Sequence, residues 1–242
     1  MSPFKSRKQP VLSLRKAGIY YRRGGSLFHP DRFWALRDVS FDLFHGETLG
    51  ILGHNGAGKT TLMRLIAGIY QPDRGEVIRT EYRASLLSLQ VGFIPHLTGR
   101  ENAILSGMLL GLKRKELESR MEKIISFSEL EEFIDQPVHS YSTGMKARLG
   151  FGVAFQADPD ILLVDEVLGV GDIDFREKST LAMKDKIRSN KTVVIVSHSP
   201  GVMRELSDRI VWIERGKTIA DGPPDEVLER YLSHRQGKTG KT

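Results

Sequence analysis

Residues 53 to 60, Gly-His-Asn-Gly-Ala-Gly-Lys-Thr, fit the spacing G-x-x-x-x-G-K-[S/T] without exception, and Thr61 follows. Those residue types in that order suit a polyphosphate. Across Gly53, His54, Asn55, Gly56, Ala57 and Gly58 the glycines let backbone N–H groups curl around a β-phosphate. A helix opening at Lys59 adds the partial positive charge of its N-terminus. The Lys59 ammonium supplies a point charge to the β and γ oxygens, the Thr60 hydroxyl is placed to ligate Mg²⁺, and Thr61 stands near the α-phosphate. A chance glycine-rich turn is the bland alternative. It is disfavoured because the segment lies between an apolar strand, "ETLGILG", and a helical run from Lys59 to about Ala67 that Gly68 stops.

Two more apolar runs end in chemically useful residues. "ILLVDE", 161 to 166, delivers Asp165 and Glu166 to a strand end, and "VVIVSHS" delivers His198. Open α/β sheets bind ligands at the carboxyl ends of their strands. There Asp165 would hold Mg²⁺ through water, and Glu166 would orient or deprotonate the attacking water. His198 would sense the γ-phosphate. Taken alone, a carboxylate pair or a histidine after a strand is an ordinary surface feature; three strand ends aimed at one edge favour the functional reading.

"YSTGM", 141 to 145, opens another helix. Ser142 on its own is an N-cap. Gly144 has no such explanation, because glycine is a poor first-turn residue when only helix stability matters. Ser142, Thr143 and Gly144, followed by Lys146 and Arg148, therefore read as a second anion cradle, one that serves a nucleotide held by another copy.

The elements that must position these residues follow from hydrophobic periodicity. Residues 11–21 and 35–43 alternate apolar and polar like half-buried strands, and between them lies a Gly- and Pro-punctuated segment carrying Phe28, Phe33 and Trp34. "PDRG", 72 to 75, reads as a turn. From about 98 to 158 the pattern is helical throughout. Strands then return with "DILLVDE", "TVVIVSH" and "DRIVWIERG", separated by helical lengths of chain, which marks parallel βαβ units. The expected organisation is one α/β domain over 1–242 with a helical insert at about 98–158. A C-terminal helix from Pro224 to His234 and a basic tail fill 223–242.

Composition sets the outer limits. The 242 residues include no cysteine, so disulfides and thiolate metal sites are excluded. The first ten residues lack the apolar core of a signal peptide. The longest purely aliphatic run, "ILLV", is far short of the roughly 18 residues that cross a bilayer. Seven of the 36 Lys and Arg residues fall within residues 1–30, where there is no acid, so the rest of the chain is nearly neutral. That basic edge suits anionic lipid headgroups or simple solvation. It lacks the interleaved aromatics of a nucleic-acid stripe, and no nucleic-acid partner is expected.

The phosphate loop, helical insert, "YSTGM", "ILLVDE", "GVGD" and "VSHS", in this order over residues 11 to about 222, resemble the nucleotide-binding subunit of ATP-binding cassette transporters. The resemblance implies a P-loop NTPase core of α/β class with an antiparallel β subdomain and an inserted α-helical subdomain. It implies ATP and Mg²⁺ as ligands, with catalysis by Glu166, His198 and Lys59. It also implies two copies facing head to tail, each signature helix capping the γ-phosphate held by the other. Gln90 then corresponds to the glutamine that joins Mg²⁺ to the helical lobe, and Asp172 to a dimer-contact aspartate; Gly169 stands where Ser or Ala is usual. Tyr21 corresponds to the aromatic that stacks on adenine, with Tyr20 and Trp34 as alternatives.

Thr143 and Met145, where most of the family has Gly and Gln, together with "GFIPHLTGREN" and "DEVLGVGD", resemble the branch that exports lipid-linked polysaccharides such as O-antigen, capsule or teichoic acid. This implies a transmembrane permease partner and a peripheral place on the cytoplasmic face of the cell membrane. A cassette protein acting on nucleic acid or ribosomes, or a subunit exporting another substrate, is the alternative. The single cassette and the lack of sustained heptads weigh against the first of these. The segment with Phe28, Phe33 and Trp34 reads either as hairpin closure or as an amphipathic gate at the membrane interface.

Overall fold

A computed structural model describes residues 9–26, 29–86, 92–165 and 169–239. It divides into two compact units: Met1–Leu86 with Asp160–Glu166 and Ile187–Thr242, and Leu87–Pro159 with Val167–Lys186.

The first unit opens with strands β1 (Pro10–Ser26) and β2 (His29–Phe44), continues through β3 (Thr48–Leu52) to helix α1 (Lys59–Ile66), and then through β4 (Arg74–Arg79) to β5 (Ala84–Leu86). The second unit contributes α2 (Gly99–Leu109), α3 (Arg114–Ser128) and α4 (Thr143–Gln156). The chain then passes through β6 (Ile161–Asp165) of the first unit to α5 (Ile173–Arg188). β7 (Thr192–Val196), α6 (Pro200–Leu206), β8 (Arg209–Glu214), β9 (Lys217–Gly222) and α7 (Pro224–Thr239) complete the first unit. Among the described residues no helix is long and apolar enough to cross a membrane.

The strands form one sheet in the order β4-β1-β2-β9-β8-β3-β7-β6-β5. β3, β5, β6, β7 and β8 are mutually parallel where they pair. β3 and β7 are buried along their whole length, which is why "TLGIL" and "TVVIV" carry apolar residues on both faces. β1 pairs antiparallel with β2 and β4. The described residues of the Gly- and Pro-punctuated segment belong to the β1–β2 pair, as the hairpin reading expects. They continue both strands, with Tyr21 opposite Phe33, Arg22 opposite Arg32 and Ser26 opposite His29. The core of this unit lies between the sheet and α1, where Leu12, Leu14, Leu36, Leu43, Leu49, Ile51, Leu62 and Leu65 are fully buried. Each such side chain contributes about 1.5–3 kcal/mol of transfer free energy.

β2 and β9 meet at a single register pair among the described residues, Asp38 and Lys217. The seam is reinforced by the Gly216 carbonyl, which accepts from Arg37 N (2.7 Å) and Asp38 N (3.1 Å). Gly216 lies at φ 73 in a tight turn, and a Cβ there would stand 2.7 Å from Ala35 O. Its own N–H donates to Ala57 O at 3.2 Å, tying the turn to the phosphate loop. Nearby, the buried Arg209 guanidinium donates to both Glu47 carboxylate oxygens (2.8 and 3.3 Å), to Asp221 and to the Asp42 carbonyl, so the starts of β3 and β8 share one charge cluster.

In the second unit, α2 starts at a capping box. Thr98 Oγ1 accepts from Glu101 N at 3.2 Å and Glu101 accepts from Thr98 N at 2.8 Å, which the "TGRE" spacing encodes. The fully buried Asn102 closes the preceding loop, accepting from Ile94 N and donating to the carbonyls of Ile94, Leu97 and Thr98. Ala103, Leu117, Ile124, Leu149 and Val153 form the core. Phe127, Phe151 and Phe155 stack at centroid separations of 5.3–6.0 Å, and Phe175 of α5 packs edge-on to the first two.

Candidate functional site

Parallel register sets the first half of the site. Ile51 of β3 lies opposite Val196 of β7, and Val196 lies opposite Asp165 of β6. Three neighbouring strands therefore end in one row. The phosphate loop leaves the first, Ser197 and His198 leave the second, and Asp165 closes the third. His198 is exposed and Asp165 half-buried at that edge.

The loop geometry explains its glycines. Gly58, the N-cap of α1, has φ 103, and a Cβ there would stand 2.5 Å from Ala35 O; a Cβ at Gly53 would collide with Ile213 O. Lys59 is buried, and its ammonium donates to Gly53 O at 2.9 Å and His54 O at 3.1 Å, which holds it over the loop. His54, Asn55, Gly56 and Thr60 are exposed, Gly58 is half-buried, and Ala57 and Thr61 are buried.

Of the three aromatic candidates, Tyr21 reaches α1, with its hydroxyl 3.2 Å from Thr61 Oγ1 and its ring edge-on to Tyr70 at 6.4 Å. Tyr20 and Trp34 pair with each other at 5.3 Å, and Arg32 lies over Tyr20. Trp34 also lines a cavity of about 700 Å³ with Phe33, Gly56 and Arg215. Phe33 is 39% exposed and covered by the Arg23 guanidinium at 4.0 Å. Phe28, Gln90 and Glu166 lie outside the described residues.

The second unit carries the other candidate residues. Ser142 is the N-cap of α4, and its hydroxyl accepts from Met145 N at 3.1 Å. Tyr141, just before it, is buried and donates to Phe133 O at 2.6 Å; burial and the nearby Asp135 carboxylate push its phenol up to about 12. Thr143 is exposed, Gly144 and Met145 half-buried. The nearest atom to a Cβ at Gly144 is Ser142 Oγ at 3.7 Å, so nothing in this chain's own packing demands glycine there.

Asp172 caps α5, accepting from Phe175 N at 3.1 Å, and pairs with Arg148 of α4; both contacts hold its carboxyl below the usual range. At Gly169 a Cβ would stand 2.7 Å from Arg176 O, which accounts for glycine in place of a larger residue. Sequence reasoning passed over Asn102 and the ion pairs of Arg148. Arg148's partners, Glu129 and Asp172, lie 19 and 24 residues away, and no local pattern reports them.

A family model described as ABC transporter matches residues 36–169. The O-antigen export system ATP-binding protein RfbB of Klebsiella pneumoniae is 45% identical over 226 residues, covering 88% of this chain and 92% of that protein. The teichoic acids export ATP-binding protein TagH of Listeria monocytogenes is 43% identical over 199 residues, 82% of this chain and 59% of that one. Among solved structures, the dimeric post-hydrolysis state of the ATP-binding cassette MJ0796 bound to ADP and phosphate superposes with a TM-score of 0.69 at 25% identity, over 88% of this chain and 98% of that one. With a nucleotide-binding sheet edge, an α/β fold shared with solved cassettes and these relatives, the chain belongs to the ABC transporter family.

Proposed function

We propose that two copies of this chain clasp two ATP molecules head to tail and hydrolyse them to drive export of a lipid-linked polysaccharide, of O-antigen, capsule or teichoic-acid type, through a separate transmembrane permease. The substrate class rests on the likeness to RfbB and TagH, whose names carry those exports. In this reading the chain sits peripherally on the cytoplasmic face of the cell membrane.

The observation that supports the paired arrangement is Gly144. Glycine costs about 1 kcal/mol relative to Ala in a helix, and open space around the position means that no neighbour in this chain requires it. A ligand approaching the bare first turn of α4 from outside does. Ser142, Thr143 and Met145 flank that approach, with the Ser142 hydroxyl accepting from Met145 N at the helix start.

Each residue of the other half then has a task. The backbone of Gly53–Gly58 cradles the β-phosphate, and Lys59 swings its ammonium from the loop carbonyls to the β and γ oxygens. Tyr21 stacks on the base beside Thr61. Glu166 takes the proton of the attacking water, and His198 holds the γ-phosphate at the same strand row. Thr60 and Asp165 would hold Mg²⁺, which would supply positive charge against the phosphate oxygens.

The donor set fits that ion. Thr60 and Asp165 offer oxygen ligands, and Mg²⁺ takes one or two protein oxygens with phosphates and waters rather than a closed protein cage. Gln90 is proposed as its link to the helical unit, and Asp172 as a contact to the second copy.

The test is threefold. Glu166→Gln should abolish Mg-ATP turnover and trap a dimer on size exclusion in ATP. Detergent-solubilised membranes should yield a permease on the tagged chain. Lys59→Ala should make a lipid-linked glycan accumulate. Full turnover by Glu166→Gln, or a pull-down enriched in ribosomes instead of a permease, overturns the reading.

A further inference from the structure

Gly68 ends α1 in a left-handed conformation, φ 77, and turns the chain back along the helix. Its N–H donates to Leu65 O at 3.1 Å and Ile69 N donates to Arg64 O at 3.0 Å, so the last carbonyls of α1 find partners in the turn. Tyr70 follows, with its own N–H on Arg64 O at 3.3 Å. Its side chain therefore lies beside the last turn of α1, where Arg64 Nη1 donates to the Tyr70 hydroxyl at 3.2 Å. Three residues on, Asp73 reaches β1: its N–H donates to Gly18 O at 2.8 Å and its carboxylate accepts from Tyr20 N at 3.0 Å. Residues 68–73 thus clip the end of α1 to the stretch of β1 that leads into Tyr21.

Tyr21 is braced against that clip. Its hydroxyl lies 3.2 Å from Thr61 Oγ1, one turn before Arg64 on α1, and its ring meets Tyr70 at 6.4 Å with the planes 74° apart. The Tyr70 phenol is held below its usual range, first by the Tyr21 hydroxyl and then by Arg64. Thr61, Tyr21, Tyr70 and Arg64 therefore form one chain of contacts that leaves α1 and returns to it. At 38% exposure Tyr21 keeps ring surface open to a ligand. A near-perpendicular aromatic neighbour restricts the side-chain torsions of such a ring, so less freedom is lost when a flat partner stacks on it.

We propose that Tyr70 is a positioning residue for the base of the nucleotide: it holds the Tyr21 ring in the orientation that stacks on adenine. This rests on the reading of Tyr21 as the stacking aromatic. Tyr70 touches no nucleotide in this scheme. It contributes affinity for the base and none for the phosphates, which Lys59 and the loop of residues 53–58 hold. Helix α1 then starts at the seat of the phosphates and ends at the brace of the base.

The experiment is calorimetric titration of the full chain with Mg-ATP and with Mg-tripolyphosphate, which carries the phosphates and no base. Tyr70→Leu keeps apolar packing against the core beneath it and removes the ring and hydroxyl. It should weaken ATP about fivefold and leave tripolyphosphate within about twofold of wild type. In turnover, KM for ATP should rise to match while kcat stays within about twofold. Tyr70→Phe retains the ring and should recover ATP affinity to within about twofold of wild type. Tyr21→Ala should weaken ATP at least as much as Tyr70→Leu. The variant carrying both changes should be no weaker than Tyr21→Ala alone, because Tyr70 acts through Tyr21.

Wild-type ATP affinity in Tyr70→Leu, an equal loss for tripolyphosphate, no recovery in Tyr70→Phe, or losses that multiply in the double variant overturn the assignment. The single change at Tyr21 is the separate control. Wild-type ATP affinity in Tyr21→Ala defeats the stacking reading itself, whereas weakened ATP in Tyr21→Ala beside an unaffected Tyr70→Leu defeats only the role of Tyr70.

Discussion

Gly58 and Gly144 both stand at helix starts, for opposite physical reasons. At Gly58 the backbone is left-handed and Ala35 O blocks a side chain, so Gly58→Ala is expected to cost about 1–3 kcal/mol, measured as a lower denaturation midpoint, and to weaken ATP binding. At Gly144 an Ala fits in open space. Gly144→Ala is expected to raise stability by about 0.5–1 kcal/mol while lowering ATP turnover about tenfold or more, since the methyl fills the approach to the helix N-terminus. Melting and turnover measured on the same preparation check this, and retained turnover would remove the case for the second cradle. At this scale the placement of the phosphate loop, Asp165 and His198 at strand ends was legible in the sequence, because each follows a buried apolar run. The ion pairs of Arg148 were not. An arginine on a helix face is ordinary until the fold brings Glu129 and Asp172 to it.

The elements show the same division between local and distant causes. β3, β6 and β7 are readable because burial on both faces leaves uninterrupted apolar runs. β4, "RGEVIR", and β9, "KTIADG", are largely exposed and charged, and only their pairing with β1 and β8 makes them strands. The extension of β1 and β2 through Gly24, Gly25 and Pro30 was hidden by those turn-forming residues.

Two elements carry predictions. Glu47→Ala should destabilise the first unit by about 3 kcal/mol in chemical denaturation, because it removes the more buried of the two carboxylates that neutralise Arg209 and leaves Asp221 to hold that charge. In the second unit, Tyr141 has a phenol raised from 10.0 to about 12. The fold therefore favours the neutral form, and its stabilising share is complete below pH 10 and lost as pH rises through about 12. Tyr141→Phe should be less stable at neutral pH by about 1 kcal/mol for the missing bond to Phe133 O. It should also lose part of the wild-type decline in stability between pH 10 and about 12. Parallel denaturation curves across that range test the difference.

At the scale of the whole molecule, the family's chemistry and the described surface can be separated by one comparison. The hairpin of β1 and β2 carries Phe33 under Arg23, with Phe28 near its turn in sequence. Replacing Phe28 and Phe33 together by Ser should abolish glycan export in cells and leave ATPase activity in solution within about twofold, if the hairpin acts at the membrane interface as a gate. Preserved export would leave hairpin closure as its whole role. A last consequence concerns Gly216. One peptide unit there grips the phosphate loop through its N–H and the edge of the neighbouring strand through its carbonyl. Nucleotide that stiffens the loop should therefore quieten distant amides. Slowed deuterium uptake at Arg37 and Asp38, neither of which belongs to the phosphate loop, would make this turn a built-in gauge of occupancy.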